Sequence, residues 1–172
     1  MRVYLIGFMG SGKSTIGKKL ASTLDYNFID LDHYIEEQEN SSIQDVFQLK
    51  GEGYFRKIES KALLQVSKME KIVISLGGGT PCFEDNATVI YATGISVYLE
   101  LSAAGLFSRL VKNRGDRPLL MTLNDNELKN YIEKTLEERN EYYQQANLVV
   151  SALSFSSKKY GELAKELKSY SK

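Results

Sequence analysis

The chain has 172 residues, 42% of them hydrophobic, and its 22 Lys plus Arg are balanced by 22 Asp plus Glu. That length is a prior for one domain with a substantial core, and the balance leaves no basic excess for a nucleic-acid groove or an anionic membrane surface. One cysteine, Cys82, and one histidine leave no intramolecular disulfide framework and argue against a Cys/His zinc site, while no stretch approaches the roughly 20 apolar residues of a membrane span.

In chain order, the apolar run Val3-Tyr4-Leu5-Ile6 leads into Gly7-Phe8-Met9-Gly10-Ser11-Gly12-Lys13-Ser14, a complete G-x-x-x-x-G-K-[ST] phosphate loop. Glycine lets the backbone curl so that successive N–H groups face phosphate oxygens, and the following helix aims its positive end at the same place. Gly10, Ser11, Gly12, Lys13, Ser14 and Thr15 are therefore the candidate nucleotide contacts, with Lys13 reaching the β- and γ-phosphates and the Ser14 hydroxyl on Mg²⁺. Because a strand already begins at Val3, no signal or transit peptide is expected, and the location expected is cytoplasmic.

A helix over 14–24 carries Ile16, Leu20 and Leu24 at helical spacing. Asn27-Phe28-Ile29-Asp30 then reads as a strand ending in Asp30 and Asp32, two carboxylates at period two on one side of an extended chain. A helix over 34–39 follows, then a capping box of Ser41 and Gln44 opening a short helix that Gly51 stops, then a longer helix over 53–69. Two helical pieces in a row interrupt the strand–helix alternation and mark a candidate substrate-binding insertion, about 32–61.

Residues 71–76 are a continuous apolar run of the kind a buried parallel strand shows, ending at Gly77-Gly78-Gly79. Ligands sit outside the carboxyl ends of parallel strands, where glycine lets backbone approach them closely. A weak helix over 85–91, a strand over 95–99 and a helix over 102–111 come next. Residues 112–120, with Arg114, Arg117 and Pro118, have no periodicity and read as a mobile loop, part of a lid at about 112–124. The longest helix, 125–146, has the inward stripe Leu128, Ile132, Leu136 and Tyr143, and Arg139 falls on it. A cation on an apolar face needs a partner or a ligand. A fifth strand, 148–150, and a closing amphipathic helix with Tyr160, Leu163, Leu167 and Tyr170 complete an α/β fold, a five-stranded parallel sheet with right-handed crossovers.

The set formed by the phosphate loop, Asp30-Leu31-Asp32, Phe55-Arg56-x-x-Glu59, Leu76-Gly77-Gly78-Gly79, Arg117-Pro118-Leu119-Leu120 and Arg139-x-x-Tyr142 resembles the shikimate kinase family in order and spacing over nearly the whole chain. The resemblance implies a phosphate-loop, nucleoside monophosphate kinase-like three-layer sandwich with a helical substrate-binding insertion and a lid. It implies transfer of the ATP γ-phosphoryl group to the 3-hydroxyl of shikimate, on the route to aromatic amino acids. By the same resemblance Asp32 contacts the ring hydroxyls and accepts the proton, and Asp30 helps to hold Mg²⁺ through water. Arg56 and Arg139 bind the shikimate carboxylate, Glu59 orients Arg56, and the Gly78 and Gly79 backbones meet the substrate. Arg117 closes over the transferring phosphoryl group, and Arg109 or Arg114 stacks on adenine.

Two departures stand out. The proline often found soon after the counterpart of Arg139 is missing, and so is the one usually found near adenine after the last strand. The partners expected are shikimate and ATP, with no nucleic acid and no membrane, and a monomer is the default. The rivals are another small-molecule kinase, such as a gluconate or nucleoside monophosphate kinase, and a nucleotide-dependent switch. No Asn-Lys-x-Asp guanine-reading motif occurs to favour the switch.

Overall fold

The structure, a computed structural model, describes residues 1–112 and 118–170. Five strands, β1 (Arg2–Ile6), β2 (Asn27–Asp30), β3 (Ile72–Ser75), β4 (Ile95–Glu100) and β5 (Leu148–Ser151), form one all-parallel sheet in the order β2-β3-β1-β4-β5. Central β1 is apolar at every position from Val3 to Ile6 and wholly buried there, because helices cover both faces of a parallel sheet. The register sets Leu5 beside both Ser75 and Val97, and Asp30 beside Ser75, so the carboxyl ends of these strands line one edge.

Val3, Leu5, Val97 and Leu99 face one layer, built from α1 (Lys13–Leu24), α5 (Ala103–Lys112) and α8 (Ser157–Ser169). Tyr4, Ile6, Ile74 and Tyr98 face the other, built from α2 (Leu31–Glu39), α3 (Ile43–Val66) and α4 (Asn86–Thr93). The long α7 (Asp125–Tyr143) serves both: Leu128 and Ile132 pack into the first layer and Tyr143 into the second. Arg139 lies between them on that crossing.

Three local expectations are corrected and one holds. α2 begins at Leu31, because Asp30 is its N-cap and accepts from the Asp32 amide at 3.2 Å; Asp32 is thus in a first helical turn, not on extended chain. Ser42, not Ser41, caps α3, its hydroxyl accepting from the Asp45 amide at 3.1 Å. The expected break at Gly51 is present: its φ of 78° and ψ of 170° are not helical and divide α3 into two helical halves. Where irregular chain was expected, α6 (Pro118–Met121) forms a helical turn, since proline is preorganised for a first helical position, and Leu120 is buried. Arg114, Arg117 and the rest of residues 113–117 of the expected lid lie outside the described residues. No helix among the described residues is long and apolar enough to cross a membrane.

Candidate active site

The phosphate loop joins β1 to α1. Gly12, the N-cap of α1, sits at φ 98°, a left-handed conformation open to glycine at little strain. Lys13 folds back over the loop, its Nζ donating to the Gly7 carbonyl at 2.8 Å and the Phe8 carbonyl at 3.0 Å. The Ser11 hydroxyl is buried within this turn with no hydrogen-bond partner, which leaves its donor available to a phosphate oxygen or a water.

Beside the loop, the Ser14 hydroxyl donates to Asp30 Oδ2 at 2.5 Å, and Ser75 Oγ lies 3.5 Å from Ser14 Oγ. These are hard oxygen donors, too few to enclose a metal ion. No group of three or more His, Cys, Asp or Glu side chains that could hold one occurs among the described residues. Such a set fits Mg²⁺ carried largely by nucleotide phosphates and water.

Arg109, from α5, ties the loop to the segment after β5. Its Nη1 donates to the carbonyls of Gly10 at 3.3 Å and Ser11 at 3.0 Å, and its Nη2 to that of Ala152 at 2.7 Å. These bonds lie in the guanidinium plane, whereas stacking uses its faces.

The Gly77-Gly78-Gly79 turn leaves β3 at the same edge, half-buried at Gly77 and Gly78 and closely approached by side chains. A methyl group on Gly77 would stand 2.9 Å from Thr80 Oγ1 and 3.1 Å from both Asp32 Oδ1 and Glu59 Oε1. One on Gly78 would stand 3.2 Å from Arg139 Nη1 and 3.3 Å from the Met9 amide of the phosphate loop. One on Gly79 would stand 3.4 Å from both terminal nitrogens of Arg56. Residues from α2, α3, α7 and the phosphate loop therefore converge on three consecutive glycines, within a few ångströms of one another.

Arg56 is held in a fixed plane. Its Nη1 donates to Glu59 Oε2 at 2.9 Å, its Nε and Nη2 both to Glu52 Oε1 at 3.2 and 3.0 Å, and Phe83 lies under its guanidinium at 3.7 Å. The expected orienting role of Glu59 therefore has a direct contact behind it. Arg139 stands over the Phe8 ring at 5.8 Å. The Asp32 carboxyl is pushed up to about 6, first by burial and then by the neighbouring carboxylates Asp30 and Glu59, with Lys13 pulling the other way. That places it near neutrality, where a proton acceptor works well.

Several residues with no sequence motif complete the site. Thr80 opens a 3-10 turn (Thr80–Cys82), donates from its hydroxyl to Glu59 Oε1 at 2.6 Å, and accepts at its carbonyl from Asn86 Nδ2 at 3.0 Å. Tyr143 is fully buried, stacks on Tyr98 and donates to the Gly78 carbonyl. Phe83 was also missed. The one available signal was position: polar or aromatic residues just after a glycine-ended buried strand, and a tyrosine four residues beyond Arg139.

Comparison with known proteins places the chain in a family. The family model for shikimate kinase matches residues 9–169. A shikimate kinase of Bacteroides fragilis is 43% identical over 152 residues, covering 88% of this chain and 85% of that protein. A crystal structure of shikimate kinase from Bacteroides thetaiotaomicron is similar with a TM-score of 0.90 at 37% identity, over 99% of this chain and 97% of that one. The Acinetobacter baumannii shikimate kinase, solved in complex with shikimate, gives 0.81 at 29% identity, over 98% and 91%. With a phosphate loop, a parallel sheet in this order and the family model matched from Met9 to Ser169, the chain belongs to the shikimate kinase family.

Proposed function

We propose that this kinase transfers the γ-phosphoryl group of ATP to the 3-hydroxyl of shikimate, the step its family performs on the route to aromatic amino acids. The observation that carries the reading is the convergence of Arg56, Arg139 and Asp32 on the glycine turn, against the phosphate loop. Two guanidinium groups from distant helices suit a carboxylate, which a fork of N–H donors matches bidentately. A half-buried carboxyl beside them suits the hydroxyl that is to be phosphorylated.

In this reading Gly10 to Thr15 hold the phosphates, and Lys13 exchanges its two carbonyl partners for the β- and γ-phosphates. Asp32 orients the acceptor hydroxyl and takes its proton. Ser14 and Asp30 would hold Mg²⁺, which supplies charge neutralisation on the nucleotide phosphates when bound. The resemblance assigns Arg117 to the transferring phosphoryl group. Arg109 rather than Arg114 is assigned to adenine, because it already bridges the phosphate loop and the segment after β5. Positioning and electrostatics supply the catalysis, with no covalent enzyme intermediate. A cytoplasmic monomer acting on two small substrates completes the reading, supported by the balanced charge and the single cysteine.

ADP release from ATP and Mg²⁺ tests the acceptor, with shikimate supplied or with gluconate, AMP or water in its place. Turnover with shikimate alone is the expected result. Turnover with gluconate or AMP would leave the phosphate-loop chemistry standing and overturn the assignment of Asp32, Arg56 and Arg139 to one shikimate site.

A further inference from the structure

We propose that Glu52 competes with the substrate: its carboxylate occupies the edge of Arg56 that the substrate carboxylate takes, and it withdraws on binding. The inference rests on the assignment of Arg56 to the shikimate carboxylate.

Three of the four constraints on the Arg56 guanidinium are fixed. Phe83 lies against its face at 3.7 Å, Phe55 at 5.1 Å, and Nη1 is bonded to Glu59, which is 1% exposed and also bonded to Thr80. Releasing Glu59 would strand a buried charge, which is strongly unfavourable. The fourth partner differs: Glu52 presents a single oxygen to both Nε and Nη2, and its side chain is 58% exposed against 14% for Arg56. Only Glu52 can leave into water.

Local backbone gives it somewhere to go. Gly51, directly before it, bears the kink of α3 and would have nothing within 4 Å of a methyl group there, so the joint is unpacked. Glu52 is the first residue of the second helical half, where the N-terminal end of the helix favours a negative charge even without Arg56. While it stays, one guanidinium faces two carboxylates, and the pair's excess negative charge opposes an anionic substrate. Exchange of Glu52 for the substrate carboxylate removes that opposition.

The test is Glu52→Gln in the full chain, with KM for shikimate, KM for ATP and kcat measured at low and high NaCl. The expected result is a KM for shikimate lowered by about two- to tenfold, the span of surface to half-buried ion pairs, with KM for ATP and kcat held. The gap from wild type should narrow at high salt. Glu52→Asp, one methylene shorter but still charged, should fall between the two. An unchanged KM would make Glu52 a solvated helix charge and a raised KM an orienting partner of Arg56; either overturns the proposal. Failure of the wild-type protein to use shikimate at all would instead sink the acceptor assignment, and it is read in its own arm of the same experiment.

Discussion

The Thr80 hydroxyl donates to Glu59 Oε1 at 2.6 Å, and both residues are buried, at 0% and 1% exposure. The other Glu59 oxygen holds Arg56, so one hydroxyl on the turn after β3 fixes the aim of an arginine on α3. Thr80→Val keeps the shape and removes the donor, leaving a buried carboxylate oxygen without its partner. The expected loss is about 1–3 kcal/mol of stability, read by denaturant or thermal unfolding, together with a higher KM for shikimate and an unchanged KM for ATP. Wild-type stability in the variant would show that water replaces the hydroxyl there.

Gly77 admits no methyl group without moving Thr80, Asp32 or Glu59. Gly77→Ala should therefore fold, because the atoms a methyl group would meet belong to side chains that can give by a few tenths of an ångström, but should displace the Asp32 carboxylate. Misplacement of a reacting group by about 1 Å costs on the order of 10²-fold, so a shift of a few tenths of an ångström is expected to lower kcat/KM for shikimate by less than that, about three- to tenfold. ATP binding, followed with a fluorescent nucleotide because the chain has no tryptophan, should be retained.

Asp32 carries a pH signature with a definite sign. Its carboxyl is pushed up to about 6 by burial and by Asp30 and Glu59, so in the metal-free protein it should titrate near pH 6, about two units above an ordinary aspartate. Carboxyl ¹³C shifts in metal-free protein would read this directly. Between about pH 4 and 6 the folded state binds the extra proton, so this group's contribution to stability is largest below that window and falls as pH rises through it. The proton-accepting form behaves oppositely: it is lost as pH falls through about 6. Asp32→Asn, which cannot accept the proton, should lower kcat by about 10²–10⁴-fold while nucleotide binding persists.

Cys82 lies near Arg56 and Arg139, yet burial pushes its thiol up to about 11, outweighing the two cations. Since the thiolate is the nucleophile, alkylation by iodoacetamide should be slow at pH 8 and should accelerate as pH approaches 11. Rapid labelling at pH 8 would mean that the thiol is more open to water than its packing implies.

The sequence by itself determined the five strands, the phosphate loop, α1 and the tally of charged groups available for chemistry. These are local matters: a continuous apolar run bounded by glycine has one stable use in a parallel sheet, and the phosphate loop needs only its own backbone. Tertiary structure alone decided which groups meet. Arg56 and Arg139 are 83 positions apart in sequence and reach one turn because α3 and α7 pack on the same side of β1's carboxyl end. Thr80, Asn86, Phe83 and Tyr143 have no spacing rule that marks them, since each acts through a partner distant along the chain or through a turn whose shape packing sets. The start of α2 was missed for a related reason. Asp30 is at once a strand end, a helix cap and the partner of Ser14, and only the sheet edge that holds β2 beside β3 makes those three roles one position.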